Sequence, residues 1–390
     1  MITTDVFIAG AGLAGSIAAL SYAKSARNVV LADPLSNNES SKFDYRTTAY
    51  LQPSKSFLEL IGVWDCVKDS AMPLEVMKII DASGMGDTGK IKSEKNFNSS
   101  EISDLPFGWN IKNSLMRTTL QNLIEHQRNC KLITGIRAVD FISRDEAAYV
   151  KLSSGKTVKA KLVIAADGRN SALRKKAGIS IKTHNFGQKA LAFAVTHSIP
   201  HKNISTEIHL SGGPFTFVPL PDHEGKPSSA VVWMEKSEKA SKLMEMKNKE
   251  FEEEMTQRSC NILGPLKLAS KRSLWPIISQ VADRIYSQRL ALIGETAHVV
   301  PPIGAQGLNM SLADIKFLSD LDKKYPDDLG STHSLNEYQK NRIADIRQRV
   351  IGVSTLNHIS ISESKVVQNI RAFGLENLFQ VPAVKNSVMK

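Results

Sequence analysis

Residues Asp5–Asp33 read DVFIAGAGLAGSIAALSYAKSARNVVLAD. A short apolar run from Asp5 to Ala9 leads into Gly10, Gly12 and Gly15, set in G-x-G-x-x-G spacing. Small residues with helical character follow from about Leu13 to Ser25, and a second apolar run, NVVLA, ends at Asp33. The order is strand, glycine turn, helix, strand, acid. Each glycine has its own task in such a unit: Gly10 permits the tight turn, Gly12 lets a ligand approach the backbone, and Gly15 lets the helix pack close to the strand. Leu13 and Ala14 supply amides at the helix N-terminus, where unpaired N–H groups and the positive dipole end suit a pyrophosphate. Asp33 stands where a carboxylate accepts hydrogen bonds from ribose hydroxyls. The unit predicts a Rossmann-type sheet and a dinucleotide. It does not choose between FAD and NAD.

That choice rests on a second stretch, Leu290–Asp314, LALIGETAHVVPPIGAQGLNMSLAD. A buried strand over Leu290–Ile293 runs into Gly294 and a carboxylate, Glu295, at the strand end where open α/β sheets bind ligands. Pro301 and Pro302 hold an extended turn. Gly304 and Gly307 let backbone N–H groups approach a flat ligand. From Leu308 and Asn309 onward, the apolar positions Leu308, Leu312, Ile315 and Leu318 have helical spacing, which brings a second helix N-terminus to the same site. His298 is expected to serve loop packing.

These two stretches resemble the FAD motifs of the flavoprotein aromatic hydroxylases, the class that includes p-hydroxybenzoate hydroxylase. Within that class the sequence is most similar to the ubiquinone-biosynthesis hydroxylases. The likeness continues through LVIAADGRNSALRKKAGI (Leu162–Ile179), DYRTTAYLQPSKSFLELIGVWD (Asp44–Asp65) and NSLMRTTLQNLI (Asn113–Ile124). The resemblance implies that Asp167 contacts FAD and NAD(P)H, that Arg46 lies near the flavin or pyrophosphate, and that Arg117 also reaches FAD. It implies that Glu295, where the family usually has Asp, bonds the ribityl chain, and that the Gly-rich loop covers the isoalloxazine. The implied activity is an FAD-dependent monooxygenase: NAD(P)H or another donor reduces FAD, oxygen forms a flavin hydroperoxide, and a polyprenylated phenol of ubiquinone synthesis is hydroxylated. Two alternatives share the fold: a flavoprotein dehydrogenase or reductase, and a non-catalytic flavin-binding scaffold subunit of a quinone-biosynthesis complex. No catalytic side chain is assigned. His197 and His209 fall on expected substrate-domain strands, where a satisfied or solvent-facing sheet histidine is the simpler reading.

The chain of 390 residues exceeds what one core usually organises, so more than one domain is expected. The expected class is mixed α/β (α+β): a Rossmann-type FAD-binding domain (1–75, 105–182, 276–325), an inserted antiparallel β-sheet substrate domain (76–104, 183–275) and a helical C-terminal part (326–390). Strands are expected in ALAFAVTHSI, STEIHLSG, FTFVPL and SSAVVWM, and a single charged helix across SEKASKLMEMKNKEFEEEMTQRSCNILG. In the C-terminal part, Leu356, Ile359, Phe373, Leu375, Leu378 and Phe379 suggest an apolar face flanked by Arg347, Arg349, Arg371 and Lys385, for packing or for a membrane interface.

Lys and Arg number 50 against 39 acidic residues, a net charge of +11 that fits a dinucleotide or an anionic membrane surface. With 6% aromatic residues and no dense basic block, a nucleic-acid platform is not expected. Cys66, Cys130 and Cys260 are too scattered for a disulfide framework or a metal site, which points to a cytosolic, reducing setting, and no His-x-x-x-His metal spacing is expected. No apolar run reaches the ~18 residues of a membrane span, so any contact with the inner membrane would be peripheral.

Overall fold

A computed structural model describes residues 1–35, 44, 46–82 and 91–361. Its first sheet has a parallel centre in the order Cys130–Thr134, Val29–Asp33, Ile2–Ala9, Thr157–Ala165, Leu290–Leu292. Val6, Phe7, Ile8, Val163, Ile164 and Leu290 to Ile293 are fully buried, or within 1% of it. Strands covered on both faces read as unbroken apolar runs, and these do. The hairpin Ala148–Leu152 to Thr157–Ala165 adds antiparallel strands at one side, turning at Ser154 and Gly155.

The helix Leu13–Lys24 is buried from Gly15 to Ala23, which explains its run of Gly, Ala and Ser. It is wedged between the sheet and the helix Gln306–Lys324, so large side chains would hold the backbones apart. That second helix begins two residues before the expected Leu308.

The second sheet has nine strands and is mostly antiparallel. The strands Ile181–Thr196, Ile204–Leu210, Gly213–His223 and Lys226–Lys236 cover the four segments expected as β. One face carries Phe193, Phe215, Phe217 and Trp233, which close on Phe251. The covering segment is two helices, Ser237–Glu245 and Asn248–Arg258, where the sequence suggested one. Met246 and Lys247 are extended, and Arg272 explains the break: its guanidinium donates to the Leu243 carbonyl at 2.8 Å and the Met246 carbonyl at 2.7 Å, satisfying the end of the first helix. A small third sheet joins Thr47–Leu51, Gly108–Lys112 and Met72–Leu74.

The helix Thr332–Ile361 lies on the body through Tyr338, Ile346, Val350 and Val353. Tyr338 donates its hydroxyl to the Leu292 carbonyl at 2.8 Å, at the end of a central strand. A charged chain pins the same helix: His298 Nε2 lies 2.7 Å from Asp314, Asp314 2.9 Å from Arg342, and Arg342 2.7 Å from Asp345. His298 thus braces the loop against two helices, as its packing role anticipated. Leu356 is exposed and Ile359 half-buried on this helix, while Arg371, Phe373, Leu375, Leu378, Phe379 and Lys385 lie outside the described residues. Among the described residues no helix is long and apolar enough to cross a membrane.

Asp314 is fully buried, so removing it would leave His298 Nε2 unpaired and Arg342 with Asp345 alone. Asp314→Ala should therefore cost about 3–5 kcal/mol in denaturant unfolding. Lys316→Ala, which breaks a half-exposed pair with Asp320 on the same helix, should cost under about 1 kcal/mol. Equal losses in the two variants would show that the buried chain is not what fixes the helix.

Candidate functional site

Three of the parallel strands, Ile2–Ala9, Thr157–Ala165 and Leu290–Leu292, lead at their carboxyl ends into one cleft of about 570 Å³, enclosed on its far side by the second sheet. Three glycines at the first strand end divide the work between packing and ligand approach. A Cβ on Gly10 would lie 2.3 Å from the Ala166 carbonyl oxygen, and one on Gly15 would lie 1.9 Å from that of Gly10. Neither position can hold a side chain. A Cβ on Gly12 would meet nothing within 4 Å, and Gly12 lines the cleft with Leu13 and Ala14. Gly12 keeps space open for something other than protein.

Two helix N-termini open onto that space. Leu13–Lys24 starts from Gly12 and Gln306–Lys324 from Ala305, neither with a side-chain cap. Ala305 sits in the left-handed region at φ 55°, and Gly304 before it at φ 63°, which turns the loop after Pro301 and Pro302 sharply into the helix. Gly304, Gly307 and Leu308 line the cleft. Uncapped first-turn amides favour an anionic or electron-rich ligand, and here two sets converge.

Charged side chains complete this half. Arg117 donates Nη1 to the Ala11 carbonyl at 3.4 Å and keeps Nε buried without a partner. Arg46 is paired bidentately with Asp44, both bonds at 2.8 Å, and its guanidinium stacks 4.3 Å above the Trp275 ring. Burial alone would raise the Asp44 carboxyl, but the Arg46 bonds outweigh it and hold the group below its ordinary range. Glu295 and Gly294 also line the cleft, and Glu295 is held by Arg169 in a second bidentate pair at 3.0 and 3.1 Å.

Four of the expected cofactor residues lie behind this surface. Gly10 is the packing glycine described above. Asp33 accepts from the Ala11 amide at 2.6 Å and the Leu35 amide at 2.8 Å, so its carboxylate fastens the glycine turn to the second strand. Asp167 accepts from the Ala172 amide at 2.8 Å and thereby starts the helix Ala172–Lys176; its neighbours Gly168 and Arg169 line the cleft. Asn309 clamps the second helix to the strand Thr47–Leu51, accepting from the Leu51 amide at 3.0 Å and donating to Ala49 at 2.8 Å.

The opposite wall is the second face of the nine-stranded sheet, and sequence reading missed it. Register aligns Ala192, Val232, Thr216 and Glu207 across four neighbouring strands, with Ala230, Val218 and Ser205 in the adjoining row. All but Ala192 and Ala230 line the main cleft; those two line an adjoining 190 Å³ chamber with Ala190, Ile277 and Trp275. Asn110 and Glu207 are the polar exceptions in a wall of small and apolar side chains. Only strand alternation could have signalled them, and it does not say which face meets a cofactor.

His197 and His201 do form a His-x-x-x-His spacing, which corrects the expectation that the chain holds none. All four ring nitrogens are engaged, with the Ile199 carbonyl, Ser229, the Leu220 carbonyl and the Asn203 amide at 2.9 to 3.1 Å. Burial holds His197 below its ordinary pKa. The pair braces the sheet and has no nitrogen left for a metal.

The site fits FAD. The open Gly12, the converging amides and the partnerless Arg117 Nε suit a pyrophosphate and a flavin ring edge. The FAD binding domain family matches residues 3–350. A ubiquinone hydroxylase of Rhodospirillum rubrum is 29% identical over 318 residues, covering 81% of this chain and 71% of that protein. The 3-demethoxyubiquinol 3-hydroxylase of Escherichia coli is 26% identical over 351 residues, covering 88% and 86%. Among solved structures, p-nitrophenol 4-monooxygenase from Pseudomonas putida superposes with a TM-score of 0.81 at 17% identity, covering 100% of this chain and 97% of that one. That likeness concerns the fold.

The glycine geometry separates two variants. Gly12→Ala should fold normally and lose FAD affinity, because its methyl enters ligand space. Gly15→Ala should fail to reach the native state. Circular dichroism and flavin absorbance after reconstitution would check both; normal FAD binding by Gly12→Ala would remove the pyrophosphate from that position.

Proposed function

The chain belongs to the FAD binding domain family and takes FAD as its cofactor; on that premise we propose that it is a monooxygenase that hydroxylates the aromatic ring of a ubiquinone precursor. The observation that carries this reading is the pairing of two uncapped helix N-termini with a chamber walled by small apolar side chains across the same cleft. The ubiquinone hydroxylase and the 3-demethoxyubiquinol 3-hydroxylase, each matched over most of its length, support it.

In this reading the amides of Gly12, Leu13 and Ala14 bind the pyrophosphate, with Arg117 beside it. The Gly307 and Leu308 amides hold the flavin's pyrimidine edge, and Glu295, fixed by Arg169, reaches the ribityl chain. Bound FAD supplies the activation of oxygen, with NAD(P)H or another donor supplying electrons. The protein's own part is to orient the ring and exclude water. Ala190, Ala192, Ala230 and Val232 leave room for a flat apolar substrate, and Pro301 and Pro302 close the chamber from the loop side. An apolar substrate would be collected at a membrane surface; the +11 charge and the exposed Ile351 and Leu356 beside Arg347 and Arg349 favour reversible, salt-sensitive contact there.

The test is turnover of FAD-loaded protein with NAD(P)H and a short-chain prenylphenol. The expected result is substrate-stimulated oxidation and a product carrying one added oxygen. Oxidation without oxygenated product would indicate a dehydrogenase or reductase, and bound FAD without any oxidation a scaffold. Sedimentation with anionic liposomes should fall as salt rises; equal binding to neutral vesicles would remove the electrostatic part.

A further inference from the structure

One polar cluster at the cleft is not among the residues assigned above to FAD. Glu207, on the strand Ile204–Leu210, lines the substrate wall, and its carboxylate lies 2.8 Å from His209 Nε2. His209 is 6% exposed, and its Nδ1 has no partner. Nearby on the cleft lining, the fully buried Asn110 donates Nδ2 to the Pro219 carbonyl at 2.9 Å and keeps Oδ1 without a partner. Polar groups left in this state cost free energy unless something completes them.

Register places Glu207 relative to the flavin loop. Val232 and Val300, the latter immediately before Pro301, line the same cleft and its adjoining chamber, and Glu207 stands two strands from Val232 in the same row. At the usual strand spacing this is about 10 Å along the wall, enough for one aromatic ring between loop and carboxylate. A ring lying there would present a hydroxyl to Glu207 while its other carbons face the loop. The further charged positions around the dyad are Asp81, in register with His209, and Lys95, in register with Ile79 on the strand beside Glu207.

We propose that Glu207 is the catalytic base for the ring hydroxyl and that His209 is its positioning residue. This rests on the hydroxylase reading. The O–H bond breaks, its proton passes to a Glu207 carboxylate oxygen, and the electron pair stays on the ring oxygen. Delocalised into the ring, that pair raises electron density at the ortho and para carbons, which must attack an electrophilic oxygen. His209 fixes the carboxylate through the Nε2 bond, so its loss should act through Glu207.

The experiment compares FAD-loaded wild type, Glu207→Gln, Glu207→Asp and His209→Gln in single turnovers of the photoreduced protein with oxygen. The probes are a plain prenylphenol and a polyfluorinated phenol already ionised in solution near neutral pH. Glu207→Gln should lose about 100-fold with the plain phenol, approach wild type with the fluorinated one, and recover as pH rises. Glu207→Asp keeps a carboxylate and should recover part of the rate, and His209→Gln should show a smaller loss with the same rescue. FAD affinity should be unchanged in all variants, which reports folding. An equal loss with both phenols, or none, overturns the proposal. Absence of product from wild type with FAD bound removes the hydroxylase reading, and this proposal with it.

Discussion

The close approach of three backbone segments governs the rest of the molecule. Gly15 lies against the Gly10 carbonyl and Gly10 against that of Ala166, with separations that no Cβ would tolerate. That contact sets the first helix directly over the ends of the Ile2–Ala9 and Thr157–Ala165 strands. The helix N-terminus is therefore held at the carboxyl edge of the sheet, where its free amides have no protein partner. Part of what makes the cleft attractive to an anion follows from this placement, and the N-terminus of Gln306–Lys324 and Arg117 add to it. The residue between the two packing glycines, Gly12, is the one whose missing side chain leaves open space on the cleft.

Local motifs were legible because their chemistry is local. The strand–turn–helix unit, the glycine positions and the second loop after Pro301 each depend on residues adjacent in sequence, so spacing alone revealed them. The roles of the two acids were harder to read for the same reason. Asp33 and Asp167 both stand at strand ends, where a carboxylate can reach a ligand or a nearby amide. In each case the nearby amide is within 2.8 Å, and the carboxylate stabilises the turn that shapes the site. Glu207 and Asn110 gave no signal. They come from separate sheets about a hundred residues apart, and neither belongs to a motif.

The ends of the chain's ion pairs show how the loop around Glu295 is held. Glu295 is fixed by Arg169, which follows the central strand Thr157–Ala165, while His298 is fixed through Asp314 to Arg342 on the Thr332–Ile361 helix. Arg174 adds a bond from its buried guanidinium to the Thr296 carbonyl at 2.9 Å. Three neighbouring positions of one loop are thus tied to three different elements. A loop that must meet a flat ligand edge to within a few tenths of an ångström needs such ties, since glycine and proline by themselves fix direction without fixing place.

The second sheet resolves a conflict between packing and open volume. A sheet is stabilised by large side chains on a covered face, yet a substrate wall must leave volume beside the cofactor. Here the two demands are divided by strand alternation. Phe193, Phe215, Phe217 and Trp233 point to the helices and form a packed aromatic core, while their sequence neighbours Ala192, Thr216, Val218 and Val232 point to the ligand side. A one-residue slip in any of these strands would exchange the two sets, filling the chamber with aromatic rings and emptying the core. Correct register is therefore a condition for both stability and binding. The aromatic face is what enforces it, because each ring buried against Phe251 would be lost in the slipped pairing. The volume available to a substrate is in this sense determined on the face of the sheet that the substrate never touches.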